Sequence, residues 1–310
     1  MPLTNDQALR LSNDAFLRGL IENESKRIQM AHLLPFFEIE GDKLTVPRVT
    51  SANLGTAVWD AGATAVSDTP AAPTDPNVSF SLKLLISSFK NNYTAQYDMS
   101  NVNNQETVQI QAAIRRMLYE FWAKFNLGNT GANPEEFNGL RQLVTGGQTI
   151  TANGGAGGQP TLAEFDLLVG LIKANDGRPH VLYSSRLGYE AWKRAHYALQ
   201  TIPNEFENLD VPDAQNGIRI VRVPCWDGIW WVIDDNCPNN ETVNNFTSVY
   251  ALVLGKDGLH GIVPQGTKES MFRVARSLVD GKAQDVEVIY WAVGLALQSE
   301  VAVARLQQVG

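Results

Sequence analysis

The chain of 310 residues contains little cysteine and little histidine, which limits the chemistry it can carry. Its two cysteines, Cys225 and Cys237, are spaced for neither a zinc knuckle nor a redox Cys-x-x-Cys pair, so a disulfide-stapled scaffold is excluded. No two histidines lie within four residues of each other, so no helical pair of metal ligands can form. The sequence predicts no metal site and no cofactor. The histidines, all expected in structural or surface positions, are His32, His180, His196 and His260.

Signature motifs of catalysis are also missing. No Gly-x-Ser-x-Gly elbow occurs, and Ser184-Ser185 stands where a helix N-cap is expected. The glycine-rich stretch 146–158 lacks the Gly-Lys-Ser/Thr ending that places a lysine on phosphates, and its composition predicts a flexible loop or linker. Cys225 has no obvious base nearby and is predicted to be a small buried hydrophobe. We therefore predict no catalytic residue.

Positive charge and long apolar runs are scarce. Lys and Arg number 25 against 33 Asp and Glu, a net charge of −8, which argues against a surface built to grip phosphate backbones. No run approaches the ~18 apolar residues of a membrane span. The N-terminus has no basic stretch followed by an apolar core, so no export signal is visible and a cytosolic protein is expected.

The first third of the chain predicts an arm and a long hairpin. From Thr4 to about Met30 the pattern is amphipathic, and Thr4 with Gln7 forms a capping box, which predicts a helical arm. Alternation at 43–49 and at 78–84 predicts the two strands of a hairpin. The segment between them contains no Lys or Arg and too few apolar residues for a core of its own, so its order should depend on a neighbour.

The rest of the chain predicts a rod-like helix followed by a mixed body. Asn103 to Leu127 repeats apolar residues at helical spacing over roughly 35 Å. Strand 286–297 is apolar almost throughout and is expected to be buried on both faces. The other expected elements are helices at 161–172 and from Ser184 or Ser185 towards Leu199, and strands at 180–183, 218–223, 229–233, 249–254 and 271–278, the last turning at Asp280-Gly281 into strand 286–297.

This anatomy favours self-assembly. The predicted arm and the tip of the predicted hairpin have no core of their own. They can bury their apolar groups only against another copy of the chain, and in a symmetric assembly the same contact is used by every copy. The residues alone thus predict an assembling protein. A cytosolic α/β enzyme remains as a second alternative, although its site would have to be built from scattered residues.

Four stretches occur in a recognisable order. Ala57-Val58-Trp59-Asp60-Ala61-Gly62 precedes Phe80-Ser81-Leu82-Lys83-Leu84; Tyr97-Asp98-Met99-Ser100 leads into helix 103–127; Phe137-Asn138-Gly139-Leu140 follows; and Trp291–Leu295 comes with Ala302–Leu306. Their order and spacing resemble those of the major capsid proteins of tailed double-stranded DNA phages, which have the Hong Kong 97-like fold. Asp60-Ala61 departs from the acidic-Gly ending that is common in that family.

The resemblance implies an α+β fold with the following division. Residues 1–40 would form an N-terminal arm, 41–84 the E-loop, 85–175 a P-domain that includes spine helix 103–127, 176–265 an A-domain, 266–297 the P-domain strands, and 298–310 a return to the A-domain.

The resemblance also implies a function. Pentamers and hexamers would build an icosahedral head around double-stranded DNA, within a virion assembled in the host cytoplasm, without catalysis and without a membrane. A separate scaffolding protein and a portal are expected, because only about 40 residues precede the E-loop. An encapsulin, a cellular compartment of the same fold, is the alternative. The implied inter-subunit residues of the E-loop are Trp59, Asp60 and Gly62, and a weakly DNA-binding arm would use Arg10, Arg18, Lys26 and Arg27.

Some members of this family join an E-loop lysine to an asparagine of a neighbouring subunit. That reaction needs a lysine near the tip of the loop. Here no lysine occurs between Arg48 and Lys83, so we expect a shell without covalent cross-links.

Overall fold

The structure, a computed structural model, describes residues 29–48, 77–92, 105–201, 206–213, 217–240, 245–266, 272–278 and 284–310. The strands in these ranges are β1 (Phe36–Ile39), β2 (Lys43–Pro47), β3 (Asn77–Ser81), β4 (Lys83–Asn92), β5 (Thr149–Thr151), β6 (Val181–Ser184), β7 (Phe206–Asp213), β8 (Gly217–Trp226), β9 (Ile229–Ile233), β10 (Thr247–Leu252), β11 (Leu259–Pro264), β12 (Arg273–Leu278), β13 (Gln284–Leu297) and β14 (Val303–Val309). The helices are α1 (Gln105–Leu127), α2 (Leu140–Leu143), α3 (Leu162–Gly170) and α4 (Arg186–Ala198).

One sheet has seven strands in the order β5-β14-β10-β6-β9-β8-β7. Its central strand β6 is buried along its whole length, as expected for a strand covered on both faces. Trp231 of β9 faces α3 and α4, where its ring lies 5.9 Å from that of Phe165 and 5.0 Å from that of Trp192. On the opposite face, the ring of Tyr183 meets Phe125 near the end of α1 at 5.7 Å.

The other large sheet is built around β13 and is called the β13 sheet below. β13 pairs antiparallel with β4 along one edge, and with β12 and then β11 along the other, while β1 adds in parallel to β11. Helix α1 packs across β4 and β13, and its Phe121 ring lies 4.8 Å from Trp291. The buried residues Ala113, Met117, Phe121 and Phe125 of α1 recur every four residues, which explains its amphipathic stripe.

Strands β2 and β3 form a separate antiparallel hairpin, registered from Lys43 opposite Ser81 to Pro47 opposite Asn77. Where β3 passes into β4, the chain crosses close to β13. A Cβ added to Gly294 would lie 2.8 Å from the carbonyl oxygen of Ser81, so only glycine permits this approach.

Most of the predicted elements are confirmed. The long helix ends at Leu127 as predicted, and it is described from Gln105 onwards. The 161–172 helix begins with a complete capping box in which Thr161 and Glu164 bond each other's backbone N–H groups. The hairpin pairing of β2 with β3 and the antiparallel pairing of β12 with β13 are confirmed. The Asp280-Gly281 turn and nearly all of the predicted arm lie outside the described residues.

Two predictions are wrong. The stretch 146–158 is not a loose linker, because β5 within it pairs in parallel with β14 and the carboxylate of Glu164 accepts a hydrogen bond of 2.7 Å from Gly154 N. Strand β13 is not buried on both faces throughout. From Val286 to Ala292 buried and half-buried residues alternate, and only Val293 to Leu297 are continuously buried. The first half of β13 therefore has one face that α1 does not cover.

Candidate functional site

The uncovered face of the β13 sheet, called the outer face below, carries an apolar patch. In an antiparallel ladder, paired residues point to the same side. Trp291 points towards α1, so its partner Leu85 does too, whereas the neighbouring pairs Leu84–Ala292 and Ile86–Tyr290 point away from the helix. Leu84 and Ile86 are 56% and 55% exposed.

Further residues extend the outer face in the same register. They are Ser88 and Lys90 on β4, Val286 and Val288 on β13, and Arg273 and Ala275 on β12. Among the described residues, the ten-residue strand β4 pairs with β13 alone, so one of its edges has no partner strand in that part of the chain. A soluble monomer seldom keeps both an apolar patch and a long open strand edge, so this region has the character of an interface.

The hairpin is fixed to the body by Arg48, directly after β2. Its guanidinium donates to the carbonyl oxygens of Gln298 at 3.0 Å and Leu297 at 2.5 Å, and forms an ion pair of 2.6 Å with Glu300. The same side chain lies 5.9 Å from the centre of the Phe80 ring. A planar guanidinium can bond several acceptors at once, so Arg48 ties the end of β2 to the residues that follow β13.

Replacing Arg48 with alanine should loosen the hairpin without unfolding the subunit. Loss of these charge-assisted bonds should cost about 2 kcal/mol locally, equivalent to roughly thirtyfold faster hydrogen exchange of the β2 and β3 amides. Arg186→Ala is the matched control, because Arg186 pairs only with Glu190 on the surface of α4, where such pairs contribute little. Unchanged exchange in Arg48→Ala would show that Arg48 does not hold the hairpin.

A cleft between β4, α1 and the 129–139 loop is lined by lysines and carboxylates that form hydrogen bonds and ion pairs within the subunit. Lys83 Nζ donates to Pro134 O at 2.5 Å. Lys124 Nζ lies 2.6 Å from Glu136, and this hydrogen bond raises the pKa of Lys124. Burial alone would raise the pKa of Glu136, but hydrogen bonds from Lys124 and Asn133 lower it overall. Lys124 is therefore held as a charged donor and is poorly suited to act as a nucleophile.

The remaining reactive groups are dispersed. Within the described residues no three His, Cys, Asp or Glu side chains lie close enough to hold a metal ion. Cys225 is buried, as predicted. His260 is buried against the ring of Phe37, and burial lowers its pKa. No helix in the described part of the chain is long and apolar enough to cross a membrane.

The residues named from the resemblance lie outside the described ranges: Trp59, Asp60 and Gly62, and Arg10, Arg18, Lys26 and Arg27. Their roles stay predictions. Arg48, Leu84 and Ile86 were not predicted as site residues. The second hairpin strand was predicted to end at residue 84, whereas β4 continues to Asn92. The alternation of side chains continues through Ile86 and Ser88, and this signal could have revealed the exposed apolar pair.

Searches with the sequence find no matching family model and no matching curated protein. Comparison with solved structures does find similar folds. The SrpI encapsulin of Synechococcus elongatus PCC 7942 matches with a TM-score of 0.70 at 17% identity, over 99% of this chain and 96% of the other. The capsid of an empty GTA particle matches with 0.63 at 13% identity, over 95% and 93%. A chain of Mycobacterium phage Ogopogo matches with 0.57 at 12% identity, over 95% and 96%.

These matches define the fold. The chain has the Hong Kong 97-like fold over nearly its full length, which confirms the α+β fold class predicted from the sequence. At 12–17% identity the likeness shows the fold alone.

Proposed function

We propose that the chain is a major capsid protein, which assembles as pentamers and hexamers into an icosahedral phage head enclosing double-stranded DNA. The proposal rests on one observation: the exposed apolar residues of the outer face occur on a chain that has the fold of shell proteins. Leu84 and Ile86 lie exposed beside an open strand edge in a fold that a GTA capsid and an encapsulin also adopt. A second copy of the chain is the occupant that such a repeating assembly supplies.

The division into N-terminal arm, E-loop, P-domain and A-domain is part of this proposal. In this division α1 would be the spine helix, β12 and β13 the P-domain strands of residues 266–297, and residues 176–265 the A-domain. The E-loop residues Trp59, Asp60 and Gly62 would contact a neighbouring subunit. Separate scaffolding and portal proteins would guide assembly in the host cytoplasm. The subunit would have no catalytic role, and with a net charge of −8 it would confine DNA rather than grip it.

An encapsulin-like compartment is the second candidate, and one observation favours it. The SrpI encapsulin matches with a TM-score of 0.70 over 99% of this chain. Both candidates need the same contacts between copies of the chain. They differ in what the shell encloses.

The contents of native particles distinguish the two. Particles purified from the source of the chain should be treated with nuclease, then assayed for protected DNA and for co-purifying proteins. Protected double-stranded DNA would support the phage head. A single abundant enclosed protein without DNA would support the compartment and overturn the phage proposal. Finding the chain only as a small oligomer would overturn both.

Particles boiled in detergent should release only monomers. Lys83 already donates to Pro134 O, and Lys43 lies at the end of the hairpin ladder remote from residues 49–76. The sequence between Arg48 and Lys83 supplies no other lysine for a cross-link to a neighbour. A denaturing gel should therefore show one band near 34.1 kDa. A ladder of pentamers, hexamers and larger rings would contradict this expectation.

A further inference from the structure

Asp234, immediately after β9, is a carboxyl group in an unusual position. Its side chain is fully buried, at 0% exposure. One oxygen, Oδ1, accepts hydrogen bonds from the backbone N–H of Asn236 at 2.8 Å and from its side-chain amide at 3.2 Å. The other oxygen, Oδ2, is buried and receives no hydrogen bond of normal length and angle, although the Tyr183 hydroxyl interacts with the carboxyl group. A buried carboxylate oxygen that is so poorly hydrogen-bonded is costly, so the group needs an explanation.

The surroundings of Asp234 join α1 to the seven-stranded sheet. The side-chain amide of Asn126, near the end of α1, donates to the hydroxyl of Tyr183 on β6 at 2.8 Å and lies 3.3 Å from the carbonyl oxygen of Asn236. The amide oxygens of Asn126 and Asn236 are also buried without partners. The junction thus contains more acceptors than donors, and one added proton would supply a missing donor.

The titratable groups around Asp234 offer no strong counter-charge. Burial raises the pKa of Asp234 to about 6, the bonds from Asn236 and the Tyr183 hydroxyl act in the opposite direction, and Asp235 raises it further. Around Tyr183, burial raises the pKa of the phenol, with Asp234, Cys237 and Tyr250 adding to the effect. The guanidinium of Arg305 lies 5.9 Å from the centre of the Tyr250 ring, and it is not among the main groups that shift the pKa of Asp234.

We propose that Asp234 is a proton-operated latch between the end of α1 and the seven-stranded sheet. A proton taken from solvent converts the carboxylate to a carboxylic acid, whose O–H donates to a buried acceptor and closes the junction. Loss of the proton to solvent leaves a buried negative charge and favours local opening. The latch is a property of the single subunit and does not rest on the proposed function.

The direction of the pH effect follows from the pKa. The closed junction has the higher pKa, about 6, and the opened carboxyl the ordinary 3.8, so the closed form binds more protons between these values. The contribution of Asp234 to closure is therefore greatest at low pH, falls as the pH rises from about 4 to about 6, and is constant above. Glu164, at the start of α3, has the opposite pH dependence: its contribution to the stability of the subunit is lost as the pH falls. Burial would raise its pKa, but bonds from Gly154 and Thr161 lower it overall.

Hydrogen exchange of amides 120–128 in the full chain, corrected for the intrinsic pH dependence of exchange, tests the latch. Protection should fall by roughly thirtyfold between pH 4.5 and 7.5, as follows from pKa values of about 6 in the closed and 3.8 in the opened form. In Asp234→Asn, which imitates the protonated group, protection should be high and independent of pH. Asp235→Asn, an exposed neighbour, is the matched control and should behave as wild type.

Two further results keep the test decisive. Asn126→Ala removes the side chain through which α1 contacts the junction. It should lower the protection of amides 120–128 at every pH and make that protection less dependent on pH. The wild-type profile alone is also informative if Asp234→Asn fails to fold. Wild-type protection that does not change between pH 4.5 and 7.5, or an equal loss of the pH effect in Asp235→Asn, would overturn the proposal.

Discussion

Deleting residues 56–75 should leave a folded, soluble subunit that forms no closed shells. The structure makes this deletion feasible, because Pro47 and Asn77 pair directly across the hairpin ladder and a short connection can join them. The deleted residues contain no Lys or Arg and few large apolar side chains, so they contribute little to the core of their own subunit. We expect them to act across a boundary between copies, where every contact around the shell is lost together.

The deletion is best judged by circular dichroism and thermal unfolding of the subunit, alongside electron microscopy of the assembled material. A variant with residues 56–75 in scrambled order separates loop length from loop sequence, and it should also fail to close shells. Normal particles from the deletion variant would show that this segment is not needed between subunits.

Introducing negative charge on the outer face should impair assembly about as strongly as the deletion of residues 56–75. The double variant Leu84→Asp with Ile86→Asp should fold normally, because both side chains point away from α1 and are more than half exposed in the single chain. In an assembly that covers this face, each substitution removes about 1.5–3 kcal/mol of apolar burial and adds an unpaired buried carboxylate. The expected result is at least a hundredfold rise in the concentration needed for assembly.

Leu167→Asp is the matched control for the outer face. Leu167 lies on α3 and is 60% exposed, comparable to Leu84. Light scattering against subunit concentration measures all variants on one scale. If the outer-face variant assembles at the wild-type concentration, or if Leu167→Asp is equally defective, the outer face is not the specific contact.

Local patterns in the sequence predicted the elements whose burial has a simple period. The helical spacing of apolar side chains between Ile110 and Phe125 predicted α1, and Pro160-Thr161 predicted the start of α3. Strands β7 and β11 carried no such pattern. β7 contains Pro212 and several acidic residues, and β11 contains Gly261, where a Cβ would lie 2.3 Å from the ring of Phe36. Both strands form because distant strands pair with them.

The candidate site was less predictable for the same reason. The partners of Arg48 lie about 250 residues along the chain, so no local pattern marks the residue. No local pattern marks Asp234 either, because its burial depends on the packing of segments that are distant in sequence. The lack of lysine between Arg48 and Lys83, in contrast, can be read directly from the sequence.

The mass of native particles tests the central claim most directly. Charge-detection mass spectrometry of assemblies purified from the source of the chain should give megadalton particles composed mainly of this 34.1 kDa subunit. The smallest icosahedral shell, of about 60 copies, would weigh about 2 MDa, and larger shells would weigh multiples of this value. An assembly no heavier than a hexamer would contradict the proposal that the chain builds a closed shell.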